Sequence, residues 1–79
     1  MPKLRDVSGK QLVRIFKNFG FVVASQKGSH IKMSRICSGA VQTLVIPNHN
    51  SILKGTLKTI YTQALEYISE KELKKMFYS

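Results

Sequence analysis

The stretch FVVASQKGSHIKMSRICSGAVQTLVI, residues 21–46, decides the fold. It contains three runs rich in β-branched and other apolar residues, separated by short glycine-containing turns at 27–29 and 37–39. In the middle run Ile31 and Met33 alternate with polar residues, as in a strand with one buried face. Because such short turns join antiparallel neighbours, the stretch predicts a three-stranded antiparallel meander. The predicted strands are 21–25, 30–36 and 41–46.

A helix is predicted on each side of this sheet. Before it, Ser8 begins a capping box and Gly20 occupies the position of a left-handed residue that ends a helix, so we predict helix one over 9–19. Its apolar residues have the spacing of a helix buried on one side: Leu12, Ile15, Phe16 and Phe19. After the sheet, a second helix begins at Gly55. Its apolar face consists of Leu57, Ile60, Tyr61, Ala64 and Ile68.

The remaining segments complete the predicted architecture. A polar loop at 47–54 leads into helix two, and a capping box at 69–72 opens a short terminal helix. The order α-β-β-β-α predicts an α+β fold with a three-stranded antiparallel sheet and two helices packed on one face, since that arrangement buries both apolar stripes. A chain of 79 residues holds one hydrophobic core. We therefore predict a single domain, 1–79, with 69–79 as a C-terminal helical tail.

The composition excludes several classes of protein. One cysteine rules out an intramolecular disulfide and a four-cysteine zinc site. No run approaches the roughly 18 apolar residues of a membrane span, and residues 1–6 lack the apolar run of a signal peptide. We therefore expect a cytoplasmic protein without a membrane partner.

The charge points to a polyanionic partner. Lys and Arg number 13 against 4 Asp and Glu, which leaves a net charge of +9. Such an excess destabilises the compact state through self-repulsion, so it indicates a binding role. Nucleic acid is the first candidate, an acidic protein the second, and an anionic membrane surface the third.

Several short motifs follow one another along nearly the whole chain. They are Ser8-Gly9-Lys10, Asn18-Phe19-Gly20-Phe21, Gln26-Lys27-Gly28-Ser29-His30, Val45-Ile46-Pro47-Asn48-His49 and Lys54-Gly55-Thr56-Leu57 with Ile60. Together they resemble the HicA toxin family, whose fold is like that of double-stranded-RNA-binding domains. The Gly-Ser-His turn is the most specific of these motifs.

The resemblance implies both an activity and a partner. It implies the toxin of a type II toxin–antitoxin pair, an endoribonuclease that cuts messenger RNA (an mRNA interferase). The histidine of the Gly-Ser-His turn, here His30, would be the catalytic residue, and a HicB-type antitoxin protein would mask it.

The residues around His30 suit this chemistry. Cleaving an RNA backbone requires a base near the 2′-hydroxyl group and charge stabilisation at the phosphoryl oxygens. Gly28 and Ser29 form a tight turn that lets the substrate backbone approach closely, so they would support the catalytic residue. Acidic residues lie far from this turn in sequence, at Asp6 and between 66 and 72. We therefore expect no metal site and no cofactor.

Four lysines are candidate RNA-binding residues. Lys27 and Lys32 bracket the turn, while Lys54 and Lys58 flank the start of helix two, where free N–H groups already favour an anion. His49 is a secondary candidate for proton transfer, provided that strand three lies beside strand two at the right end. It is equally well interpreted as a loop residue that makes a turn.

Two other interpretations of the residues stay open. One is a non-catalytic RNA-binding module of the same fold, which would not need the Gly28-Ser29-His30 turn. The other is a basic protein whose charge serves only to bind an acidic protein. Salt-sensitive RNA binding by the isolated chain would count against the second interpretation.

Overall fold

The computed structural model describes residues 2–79 and has the predicted α+β architecture. The elements along the chain are α1 (Gly9–Lys17), β1 (Val22–Lys27), β2 (His30–Cys37), β3 (Ala40–Pro47), α2 (Lys54–Ala64) and α3 (Glu70–Phe77). The strands form one antiparallel sheet in the order β1-β2-β3. The predicted meander is therefore confirmed, with strand ends that differ by one or two residues from the sequence-based ones.

Both hairpins close through two-residue turns. In the first, Gly28 has φ +59° and lies between the paired residues Lys27 and His30. In the second, Ser38 and Gly39 both have positive φ, +53° and +80°, as in the type I′ turns that match the twist of the flanking strands. The right-handed twist of the strands is thus accommodated by turn residues that tolerate left-handed backbone.

Helix α1 begins and ends as its sequence indicates. Ser8 and Gln11 form a reciprocal capping box. At the other end Gly20 has φ +90°, and the N–H of Phe21 donates to the Phe16 carbonyl. This is the geometry of a Schellman motif, which ends the regular helix at Lys17 rather than at residue 19.

Helix α2 is shorter than predicted. The apolar spacing through Ile68 indicated one continuous helix, but α2 ends at Ala64 and residues 65–67 form a turn. The N–H groups of Glu66 and Tyr67 bond three residues back instead of four, so the α-helical pattern is lost there. The Tyr67 carbonyl accepts from Arg35 Nη2 at 2.7 Å, which holds this turn against the sheet. Ile68 is still buried, so the periodicity correctly identified a core residue and wrongly extended the helix.

The core lies between the helices and one face of the sheet. The sheet contributes alternating residues such as Ile31 and Met33, as predicted. Leu73 and Phe77 of α3 are fully buried, and Phe77 packs against Phe16 with ring centroids 6.0 Å apart. The C-terminal tail is therefore part of the main core.

A pairing between the chain ends has no signal in the sequence. Residues 3–5 run antiparallel to 77–79, with Lys3 and Ser79 exchanging two backbone hydrogen bonds and Leu4 bridging Tyr78. Lys54, the first residue of α2, donates from Nζ to the Leu4 carbonyl of this terminal ribbon at 2.7 Å. Among residues 2–79, no helix has the length and apolar character needed to cross a membrane.

Candidate active site around His30

His30 lies at the start of β2, directly after the first turn. It pairs with Lys27 on β1 and with Pro47 on β3, so its backbone is held on both sides. The side chain is exposed, and within residues 2–79 no group hydrogen-bonds to the imidazole. Because side chains alternate along a strand, His30 shares the open face of the sheet, the face away from the core, with Lys32. The backbone of His30 is therefore held on both sides, while its imidazole is open to solvent and has no hydrogen-bond partner among residues 2–79.

A shallow groove opens beside His30. It has a volume of about 240 Å³ and separates the sheet from one side of α2. Its lining residues are His30, Val45, Pro47, Thr56, Thr59, Ile60 and Gln63. This volume lies below the roughly 300–1,000 Å³ of an enclosed small-molecule pocket, so the groove suits part of a polymer that passes along the surface.

Two backbone hydrogen bonds hold the loop between β3 and α2 beside the first hairpin turn, and we call this pair of bonds the clamp. The N–H of Asn48 donates to the Ser29 carbonyl at 2.6 Å, and the N–H of Gly9 donates to the His49 carbonyl at 2.8 Å. A Cβ on Gly9 would overlap the carbonyl oxygen of Pro47 and lie 2.9 Å from the Asn48 Cα. The start of α1 therefore needs glycine, because the loop backbone occupies the space of a side chain.

The clamp fixes the position of the His49 backbone. The loop brings His49 to the same end of the sheet as His30, as the sequence interpretation required, and its side chain is exposed. Its own backbone carbonyl is used to hold the loop, which fits the turn-forming alternative equally well. A catalytic role for His49 stays a prediction.

The four predicted lysines fall into two pairs. Lys27 and Lys32 extend from the open sheet face around His30. Lys54 instead lies 2.9 Å from the Asp6 carboxylate and donates to the Leu4 carbonyl at 2.7 Å. Lys58, one turn later, projects from the same side of α2, about 200° around the helix from the groove residue Thr56. The structure thus places the first pair with His30 and the second pair on the far side of α2.

Acidic groups and the perturbed tyrosine lie outside the site. Among residues 2–79 no group of three or more His, Cys, Asp or Glu side chains is arranged to hold a metal ion. Burial raises the pKa of Tyr61, with smaller contributions from the Glu70 carboxylate and Tyr78. Tyr61 packs against Phe77 and Tyr78, so this perturbation belongs to the packing of α2 against the C-terminal segment.

The polar side of α2 was missed by the sequence interpretation. Thr56, Thr59 and Gln63 follow the three- and four-residue spacing of one helix face, and this face borders the groove opposite His30. The spacing was visible in the sequence, but polar residues at helical spacing ordinarily indicate a solvated face.

Comparison with known proteins identifies the family. Residues 9–65 match the family model described as "HicA toxin of bacterial toxin-antitoxin", a span that includes α1, the whole sheet, α2 and every predicted site residue. A search of curated proteins and a search of solved structures each returned no match. Membership implies a toxin that is paired with an antitoxin. Since the match covers well over half of the chain, this protein belongs to the HicA toxin family of bacterial toxin–antitoxin systems.

Proposed function

We propose that this toxin is a metal-independent endoribonuclease that cuts messenger RNA in the cytoplasm with His30 as its acid–base residue. The observation that carries the proposal is the position of His30, exposed on a doubly paired strand end beside a groove and between two lysines. A residue that served only the shape of the fold would need neither the free imidazole nor the groove.

The proposed reaction uses the groups around the turn. The neutral imidazole of His30 takes the proton of a 2′-hydroxyl group, whose oxygen attacks the adjacent phosphorus. Lys27 and Lys32 stabilise the charge that builds up on the phosphoryl oxygens. The leaving 5′-oxygen takes a proton from His49 or from water. Lys54 and Lys58 would contact the RNA further along, together with the first-turn N–H groups of α2, which no side chain caps.

The first experiment compares RNA cleavage by the wild type, His30→Ala and His49→Ala in the presence of EDTA. Circular dichroism verifies that each variant is folded. We expect His30→Ala to lose at least about 100-fold in rate, the typical contribution of a positioned acid–base group. If all three proteins bind RNA and none of them cuts it, the chain is a non-catalytic RNA-binding module. If His30→Ala cuts as well as the wild type, His30 is not the catalytic residue.

We further propose that an acidic, HicB-type antitoxin covers the open sheet face and masks His30. That face carries apolar side chains that are largely exposed, including Ile36 at 78% and Val41 at 69%, directly opposite each other across β2 and β3. An acidic partner would also neutralise part of the +9 charge in the same contact.

The antitoxin proposal is tested by Ile36→Lys beside the matched variant Leu53→Lys. Leu53 is similarly exposed, at 79%, but precedes α2 instead of lying on the sheet. We expect only Ile36→Lys to weaken antitoxin binding, by about tenfold or more, because it buries a charge in the interface. Equal affinity of the two variants would place the antitoxin elsewhere on the toxin.

A further inference from the structure

The groove beside His30 is lined by both apolar and polar side chains. Val45, Pro47 and Ile60 contribute the apolar surface, and Val45 keeps 46% of its area exposed. Gln63 and Thr56 stand on the facing side of α2 and contribute an amide and a hydroxyl group. Within residues 2–79 no group hydrogen-bonds to the Gln63 amide, which therefore has a donor and an acceptor free.

The side chains that line the groove suit a nucleobase better than a phosphate group. No lysine or arginine lines it, so it offers nothing that would neutralise a phosphate. A nucleobase instead has flat apolar faces and an edge where hydrogen-bond donors and acceptors alternate. Proteins bind single-stranded RNA bases by packing their faces and hydrogen-bonding their edges. The apolar side chains of the groove and the free Gln63 amide match these two needs.

We propose that this groove is a nucleobase subsite next to the bond that His30 cleaves, with Gln63 as its specificity-determining residue. The inference rests on the proposed ribonuclease function. The base lies on Val45 and Pro47, its edge meets the Gln63 amide and the Thr56 hydroxyl, and the neighbouring phosphate extends to Lys27 and Lys32. The subsite thus selects which phosphodiester reaches His30.

The test uses oligonucleotides in which cleavage is restricted to one bond. All riboses carry a 2′-O-methyl group except one, whose free 2′-hydroxyl permits attack, and the bases on both sides of that bond are varied. The wild type is compared with Gln63→Ala and with Thr62→Val. Thr62 lies on α2 outside the groove and bonds to the Lys58 carbonyl, so it is the matched surface control. Alanine has the higher helix propensity, which keeps α2 intact in Gln63→Ala.

We expect the wild type to prefer one base at one flanking position by about tenfold, within the discrimination that a side-chain pairing to a base edge provides. Gln63→Ala should reduce that preference to about threefold or less, while Thr62→Val should retain it. A wild type with no base preference, or a preference unchanged in Gln63→Ala, would overturn the subsite while leaving the ribonuclease function standing.

Binding measurements separate the subsite from the chemistry. The dissociation constants of the same oligonucleotides are measured with His30→Ala and with His30→Ala/Gln63→Ala. If the wild type cuts no substrate, the ribonuclease proposal fails. A base preference in the dissociation constant of His30→Ala that disappears in His30→Ala/Gln63→Ala would still support a base-binding groove. Equal dissociation constants for all bases in the His30→Ala variant would overturn the proposed nucleobase subsite.

Discussion

The two hairpin turns of this sheet are alike locally and differ in their surroundings. Each consists of two residues and has a glycine with positive φ, Gly28 in the first and Gly39 in the second. The first turn is held from outside the hairpin, because the Asn48 N–H donates to the Ser29 carbonyl and the start of α1 holds the loop in place. The second turn lies within a run of exposed residues, 36–41.

This difference indicates what makes a turn a candidate active site. Turn chemistry alone closes a hairpin and leaves its side chains in solvent. The first turn gains a reaction site because a loop and a helix start from distant parts of the chain hold it, and because α2 lies across the groove from His30. The second turn is flanked by the exposed apolar side chains of Ile36 and Val41, which suit a partner protein rather than a substrate.

Breaking the clamp should give the largest effect after the loss of His30 itself. In Gly9→Ala the new methyl group displaces residues 47–48, and we expect the cleavage rate to fall by about 10- to 100-fold, as for catalytic groups displaced by an ångström. Unfolding stability should fall by about 1–3 kcal/mol through overpacking. The cleavage rate is measured on the purified variant at a temperature well below its unfolding midpoint, and the unfolding stability is measured by chemical denaturation.

The control for the clamp is Ser8→Ala. It removes the N-cap of α1 at a cost of about 1 kcal/mol without touching the loop, so its cleavage rate should stay at the wild-type level. If the two variants lose activity in proportion to stability, the clamp has no role in positioning the site.

Removing the lysines around the first turn should have the next largest effect. We expect Lys27→Gln/Lys32→Gln to weaken RNA binding by about tenfold and to lower the slope of log affinity against log salt by about one unit per phosphate contact. Fluorescence anisotropy with the non-cleaving His30→Ala variant gives both numbers. Lys71→Gln/Lys75→Gln removes the same charge from α3 and should weaken binding less. Equal losses would indicate a general charge effect.

Substituting the two turn glycines compares the turns directly. Gly28→Ala and Gly39→Ala should each lose about 1–2 kcal/mol of stability, the cost of a left-handed backbone for a residue with a Cβ. Only Gly28→Ala should also slow cleavage, by a few-fold, since it alters the backbone before His30. Chemical denaturation and cleavage assays measure the two quantities. A slower rate in Gly39→Ala would show that the second turn also contributes to the site.

The smallest effect is expected at the second turn. Ile36→Thr keeps a β-branched residue at an exposed position, so stability should change by no more than about 0.5 kcal/mol. Cleavage by the isolated toxin should be unchanged. A marked loss of stability would mean that Ile36 packs against the protein in solution.

Most of the fold was predictable because its signals are local. The capping box at Ser8, the glycine that ends α1 and the alternation along β2 each depend on residues a few positions apart. The end of α2 was not predictable. The turn that follows α2 is held by Arg35, which bonds to the carbonyls of Phe19 and Tyr67 and stacks on Phe21, and nothing near Arg35 in sequence indicates those partners.

The sequence by itself determined the element order, the two turns, the basic charge and the candidate histidine, because each follows from composition or from short-range spacing. Only the tertiary structure decided that Gly9 clamps the loop, that α3 completes the core and that Lys54 pairs with Asp6. The groove likewise joins His30 to Gln63 across two strands and a helix. Contacts between residues so far apart depend on how the whole chain packs, which no local pattern records.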